Sequence, residues 1–169
     1  MSTGWRFGMA RCVLSTAVVA AVAPPLAGGD RRSSLTPRDA EAVERARRGA
    51  AVRLEKAECR MVFSDFQDLR GRPIDKKIEE WALDAADYLR TLPFRDGSGE
   101  PLCQRGKVML VTSPNLPRIV VCPGFARLQR DRPEFAESLV IHELLHTLGL
   151  GENPPTSAEI TARVEARCR

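Results

Sequence analysis

His142 and His146 are the only histidines of this 169-residue chain, and they stand four apart in H142-E-L-L-H146, with Glu143 directly after the first. Residues four apart on a helix lie one turn from each other on one face, so two imidazole nitrogens can be aimed at a common point. Zinc accepts neutral imidazole at about 2.0 to 2.1 Å, favours a tetrahedron, and in catalytic sites leaves one of its four positions to water. Glu143 is one residue beyond His142 and three before His146, which puts its carboxylate beside the same face. From there it can take a proton from a water whose pKa the metal lowers towards 7. The spacing marks His142 and His146 as candidate zinc ligands and Glu143 as the candidate general base. The plainer reading is a helix whose two surface imidazoles are satisfied by hydrogen bonds, which would leave Glu143 and the glycine turn after the motif without a reason.

Such a site needs a helix with a clean start and stop. Asp131 offers a cap, Pro133 suits a first turn, and Gly149 and Gly151 read as the stop and a flexible turn; Phe135, Leu139, Leu145 and Leu148 bury the helix between them. Ahead of it, GKVMLVT (106–112) and RIVVC (118–122) are β-rich runs joined by SPNLP, which predicts a pair of strands. RMVFSDF (60–66) reads as another short strand, and RDGSGEP (95–101) as a loop. Between Pro73 and Leu92 a single stripe of Ile74, Ile78, Trp81, Ala82, Ala85, Leu89 and Leu92 predicts one amphipathic helix, with Trp81 and Tyr88 as packing residues. Thr36-Pro37-Arg38-Asp39 opens an Arg-rich helix expected to lie on the surface, with Gly49 as a point of interruption. Thr156 opens a short terminal helix that turns Ile160 and Val164 inward. The expected fold class is α+β: one domain with a small sheet packed against the motif helix and a short C-terminal helix.

The stretch H142-E-L-L-H146-T-L-G149-L-G-E152 resembles the metzincin arrangement H-E-x-x-H-x-x-G-x-x-H, in which glycine turns the chain so that the next ligand returns to the metal. That likeness implies Glu152 as third ligand, although glutamate is not the usual residue there and no methionine follows for a Met-turn. Gluzincins instead take a glutamate from a later helix. The deuterolysin-type peptidases, or aspzincins, are similar over more of the chain: RIVVCPGF precedes the motif, and Thr156-Ser157-Ala158-Glu159 stands where their G-T-x-D segment would. This resemblance spans residues 118–165 and implies a zincin-like metallopeptidase with a Zn2+ ion and Glu159, ahead of Glu152, as third ligand. Glu159 also has an ordinary role open to it, since T-x-x-E after Thr156 is a capping box. Arg163 stands where it could replace that family's transition-state tyrosine, but a solvated helix arginine is the simpler reading. Asp65 and Asp68 are candidates to hold a ligand imidazole from behind, with exposed loop acids as the alternative.

Residues 1–27 carry Arg6 and Arg11 before an apolar run from Cys12 to Ala23, broken by Pro24-Pro25, which is the layout of a secretory signal peptide. The apolar run is too short for a stable membrane span. Residues 28–58 then form an N-terminal helical segment and 59–169 the metallopeptidase domain. Removing 1–27 leaves 24 basic against 22 acidic side chains, a near balance that gives no support to a nucleic-acid partner. Four cysteines remain, which in an exported protein suggests two disulfides; of the three pairings, Cys103 with Cys122 and Cys59 with Cys168 is the expected one.

The sequence therefore leads to a secreted or periplasmic zinc peptidase acting on a peptide or protein substrate, with Arg118 to Val121 as an edge strand able to hold extended peptide. The alternative is an exported, disulfide-braced binding or envelope protein whose metal site is structural.

Overall fold

A computed structural model describes residues 34–169 and Met1; apart from Met1, the expected signal peptide lies outside the described residues. The described residues form eight helices and three short strands: α1 (Pro37–Leu54), α2 (Ala57–Arg60) continuing into a 3-10 turn (Met61–Phe63), α3 (Ile74–Glu80), α4 (Ala85–Thr91), β1 (Phe94–Asp96), α5 (Pro101–Gln104), β2 (Leu110–Val111), β3 (Ile119–Val121), α6 (Phe125–Asp131), α7 (Pro133–Thr147) and α8 (Ser157–Arg167). The sheet order is β1-β3-β2, with β1 parallel and β2 antiparallel to the central strand. The architecture is mixed α and β, as expected.

The helix that opens at Thr36 is capped as its sequence predicts: the Thr36 side chain accepts from the Asp39 amide at 3.2 Å, and Pro37 occupies the first turn. Its location is not the surface. Ala42, Val43, Ala46, Ala50, Ala51 and Leu54 are buried, and α1 packs against α4, α6 and α7. Alanine explains the discrepancy, because a face of small side chains carries little apolar volume in the sequence yet lets helix axes approach closely. The buried face of α1 and that of residues 59–169 belong to one hydrophobic cluster, which includes Leu54, Ile74, Leu89, Ile119, Phe125, Leu145 and Ile160.

Gly49 does not interrupt α1; it admits Glu137 of α7. A Cβ there would fall 2.1 Å from Glu137 Oε1 and 2.8 Å from its Cγ. Glu137 in turn meets Arg53 at 2.5 Å, in a pair whose side chains are largely shielded from solvent. Gly49→Ala is therefore expected to destabilise the fold by about 1 kcal/mol or more in urea unfolding. Displacing Glu137 leaves the half-buried Arg53 guanidinium without its carboxylate and with the Cys168 carbonyl as a remaining partner, and loss of that charge pair outweighs the gain of about 1 kcal/mol that alanine brings to a helix interior. A stabilised variant would show that the two helices part without cost.

Four local expectations are corrected. Residues 60–66 form the end of α2 and the 3-10 turn, not a strand: Val62 and Phe63 are buried in the core, and Ile74 closes a backbone bond to Phe66 at 3.1 Å. The stretch from Pro73 to Leu92 is two helices, because Ala82 takes a left-handed φ of 51° and Asp84 caps a new helix by accepting from Ala86. Trp81 and Tyr88 do pack together across that break, with ring centroids 5.2 Å apart. The supposed loop 95–101 overlaps β1 and the start of α5. Asp131 ends α6 and does not cap α7, whose first turn nevertheless begins at Pro133 as expected.

Both disulfides are those expected from the sequence. Cys59–Cys168 ties α2 to the end of α8, and Cys103–Cys122 ties α5 to the end of β3. Two such bonds fit an oxidising compartment. No helix among the described residues is long and apolar enough to cross a membrane.

Candidate metal centre

Every residue of α7 from Val140 to Thr147 is buried, so its two imidazoles are not surface groups; His142 is 2% exposed and His146 4%. The helix ends in a Schellman turn. Gly149, at φ 107°, donates to the His146 carbonyl at 2.9 Å, and Leu150 donates to the Leu145 carbonyl at 3.1 Å. Gly149 is required here twice over, since a side chain would be strained at that φ and its Cβ would lie 2.9 Å from Asn115 Oδ1. Asn115 secures the same helix end by donating its backbone N–H to the His146 carbonyl at 3.0 Å, and Lys77 bridges Asn115 Oδ1 and the Leu148 carbonyl.

That turn brings the chain back over the motif. His142 Nε2 and His146 Nε2 are 3.0 Å apart, and Glu152 Oε1 lies 3.7 Å from the first and 3.3 Å from the second. A point equidistant from these three atoms is about 2 Å from each, the length of a zinc–nitrogen or zinc–oxygen bond. These residues are the one group of His, Cys, Asp and Glu side chains among the described residues whose donor atoms gather so closely. The rings are held from behind. His146 Nδ1 is 2.7 Å from the Leu150 carbonyl, and His142 Nδ1 is 2.9 Å from Thr161 Oγ1 on α8.

Burial dominates the electrostatics. It pushes the His142 pKa down to about 3, with the neighbouring His146 adding to the effect, which keeps that imidazole neutral, the form a metal ion requires. Burial likewise pushes Glu143 up to about 8, opposed by the nearby Thr112 hydroxyl and reinforced by Glu152. Despite that proximity, Thr112 Oγ1 and Glu143 Oε2 are both sealed from solvent without a hydrogen-bond partner. Two buried imidazoles, the Glu152 carboxylate and an orphaned acid oxygen of Glu143 beside them form a donor set suited to a divalent ion.

Of the two acids proposed as third ligand, the structure brings Glu152 to the histidines and leaves Glu159 elsewhere. Glu159 Oε2 accepts from the Thr156 amide and hydroxyl, each at 2.8 Å, and its own amide donates back to Thr156 Oγ1 at 3.3 Å. This is the capping box, and those two donors hold the Glu159 carboxyl below its usual pKa. The preference for Glu159 is thus reversed, because its Oε2 is engaged at the helix start and its carboxylate is not among the donors gathered with the two rings. Glu152→Gln is expected to weaken zinc binding at least as much as the tenfold to hundredfold loss that follows removal of a ligand's supporting group. Glu159→Gln should leave it nearly unchanged. Isothermal titration with zinc separates the two, and equal losses would undo the geometric assignment.

The remaining candidates are structural. Asp65 takes a two-point contact from Arg167 at 2.9 Å and a longer one from Arg163 at 3.6 Å, so Arg163 is paired and not aimed at the rings. Asp68 accepts from the amides of Arg70 and Arg72 and folds its own loop. Both acids are half-buried, unlike the exposed loop acids expected. The partners behind the rings, Thr161 and the Leu150 carbonyl, had no sequence signal beyond the general need of a metal-binding imidazole for one.

No family model, curated protein or solved structure matches this chain. The class of protein defined here is therefore a mixed α and β fold, braced by two disulfides, with a His, His, Glu group able to hold a metal ion.

Proposed function

We propose that this chain is an exported zinc-dependent peptidase of the zincin type, with Glu143 as general base. One observation carries the reading: His142 Nε2, His146 Nε2 and Glu152 Oε1 surround a single point at ligand distance, and Glu143 stands on the same helix. Zinc held there would polarise the substrate carbonyl and acidify water. Glu143, which burial keeps protonated up to about pH 8 in the ion-free site, would act in its ionised form, taking the proton of the attacking water on its carboxylate and returning it to the leaving amine.

Substrate placement needs revision from the sequence reading. Ile119–Val121 is the central strand, hydrogen-bonded on both sides, so it offers no free edge. Among the three strands, β2 is an edge that leads directly into Thr112, the neighbour of Glu143. An extended peptide added to β2 would run past the base, its main chain paired and its side chains alternating.

A second reading, a structural metal in an exported binding or envelope protein, is favoured by the closure of the site. Glu143 is only 6% exposed. Two surface clefts, one between α1 and the start of α7 and one between residues 65–68 and α8, contain none of the metal-centre residues. Metal content and cleavage of a broad peptide panel, measured for the wild type beside Glu143→Gln, distinguish the readings.

A further inference from the structure

Two sealed oxygens without partners stand side by side in the interior. Thr112 Oγ1 and Glu143 Oε2 are both shut off from solvent and make no hydrogen bond, and β2, which leads into Thr112, packs against α7. A buried polar group left unpaired costs folding free energy, so two of them at one spot point to a use outside the substrate-free state. Glu143 has no other side-chain hydrogen bond among the described residues, and only its Oε2 is sealed, which leaves Oε1 as the oxygen that water reaches.

The sheet register shows what else Thr112 faces. In an antiparallel pair the main-chain bonds close at alternate residues. Met109 accepts from the Cys122 amide at 2.9 Å, one step ahead of the registered pairs Leu110 with Val121 and Val111 with Val120. The Val121 carbonyl accepts from Gly97 and the Ile119 amide donates to Pro93, so both of those residues turn towards β1. Their opposite numbers, Leu110 and Thr112, therefore turn their N–H and C=O groups to the open edge of β2. Thr112 makes no main-chain bond among the described residues. It is half-buried as a residue while its hydroxyl oxygen is sealed, so one residue offers its main chain outward and its hydroxyl to Glu143.

We propose that Thr112 is the positioning residue of Glu143: when a substrate strand pairs with the Thr112 main chain, the Thr112 hydroxyl donates to Glu143 Oε2 and holds Oε1 towards the attacking water. Catalytic hydrogen bonds are commonly long or misaligned in a free enzyme and tighten once substrate is bound. The inference rests on the peptidase reading above and adds to it the residue that links substrate pairing to placement of the base.

The test uses the zinc-loaded full chain and a peptide that the wild type cleaves. Thr112→Val, of nearly the same shape, is expected to lower kcat about tenfold to hundredfold, with KM and zinc affinity nearly unchanged, and Thr112→Ser to restore most of the rate. The urea midpoint of the valine variant should not fall, because the hydroxyl it lacks makes no bond in the free protein. In a Glu143→Gln background the same valine should cost no further rate, since no carboxylate is left to place. Should the valine variant fail to fold, Thr112→Ala carries the same comparisons. A folded variant with the wild-type kcat overturns the proposal, as does a loss confined to KM, a loss that serine does not restore, or an equal further loss beside Glu143→Gln. If the zinc-loaded wild type cleaves no peptide, the peptidase reading and this inference fail together; if it cleaves and only Glu143→Gln slows it, the peptidase reading stands and this inference alone falls.

Discussion

Glu143→Gln is expected to keep the metal and lose peptide cleavage by about a hundredfold to ten-thousandfold, the range that general acid–base catalysis contributes. The substitution is nearly isosteric, and its site is tightly enclosed, so loss of packing would not explain a drop of that size. It also leaves the three gathered donors, His142, His146 and Glu152, untouched. What it removes is the only acid on α7 within one turn of both imidazoles. The amide can donate to Thr112 Oγ1, which is buried beside it without a partner, so the folded state should not suffer. Metal analysis and unfolding curves establish that the variant is loaded and intact; cleavage rates then report on the proton transfer alone. Retention of activity within about tenfold would remove Glu143 from the chemistry. Absence of cleavage by a zinc-loaded wild type across a broad panel would favour the structural-metal reading.

The helix that carries the candidate metal site was legible because its ends are punctuated and its chemistry is local. Pro133 and Gly149 bracket α7, and two imidazoles four apart need only the helix itself to converge. Periodicity contributed little, since a segment buried on all sides, as Val140–Thr147 is, has no polar face to mark its period. The third ligand is a different problem. Both Glu152 and Glu159 follow the motif at plausible distances, and the choice between them depends on where the turn after Gly149 carries the chain. One signal did favour the outcome: Thr156 and Glu159 have capping-box spacing, a local use that commits the carboxylate.

Other misreadings have similar local causes. The break at Ala82 has neither glycine nor proline to announce it, although Asp84 before Ala85 is a helix-start signal inside the supposed continuous stripe. RMVFSDF has β-forming residues, but Cys59 pins the preceding turn to Cys168, and a short apolar run does not separate strand from buried helix. Strand β1 is three residues long and gains its structure only from its parallel register with β3, which no local pattern encodes.

The second large effect concerns the bond that holds α8. Replacing Cys59 and Cys168 by alanine is expected to cost about 4.8 kcal/mol of stability, the chain-entropy value for the separation of 109 residues. Removing Cys103–Cys122, with a separation of 19, is expected to cost about 1.5 kcal/mol less. Urea unfolding of the two double variants tests both the size and the order. Both cysteines of the longer bridge are buried, at 0% and 1% exposure, so the alanines leave small cavities that can only add to the entropic loss. The consequence reaches the metal centre because α8 carries Thr161 against His142, and its far end is held by Cys168 together with the Arg167–Asp65 pair. Loosening that end lets α8 move relative to α7, so zinc affinity should fall in the Cys59/Cys168 variant under conditions where it remains folded. The Cys103/Cys122 variant, whose bridge supports the sheet, should bind more nearly as the wild type. A stability loss below about 1 kcal/mol would mean that the Asp65 contacts and the core already confine α8 in the unbridged chain. An equal loss of affinity in both variants would show that the metal centre responds to general loosening of the fold and not to the placement of α8.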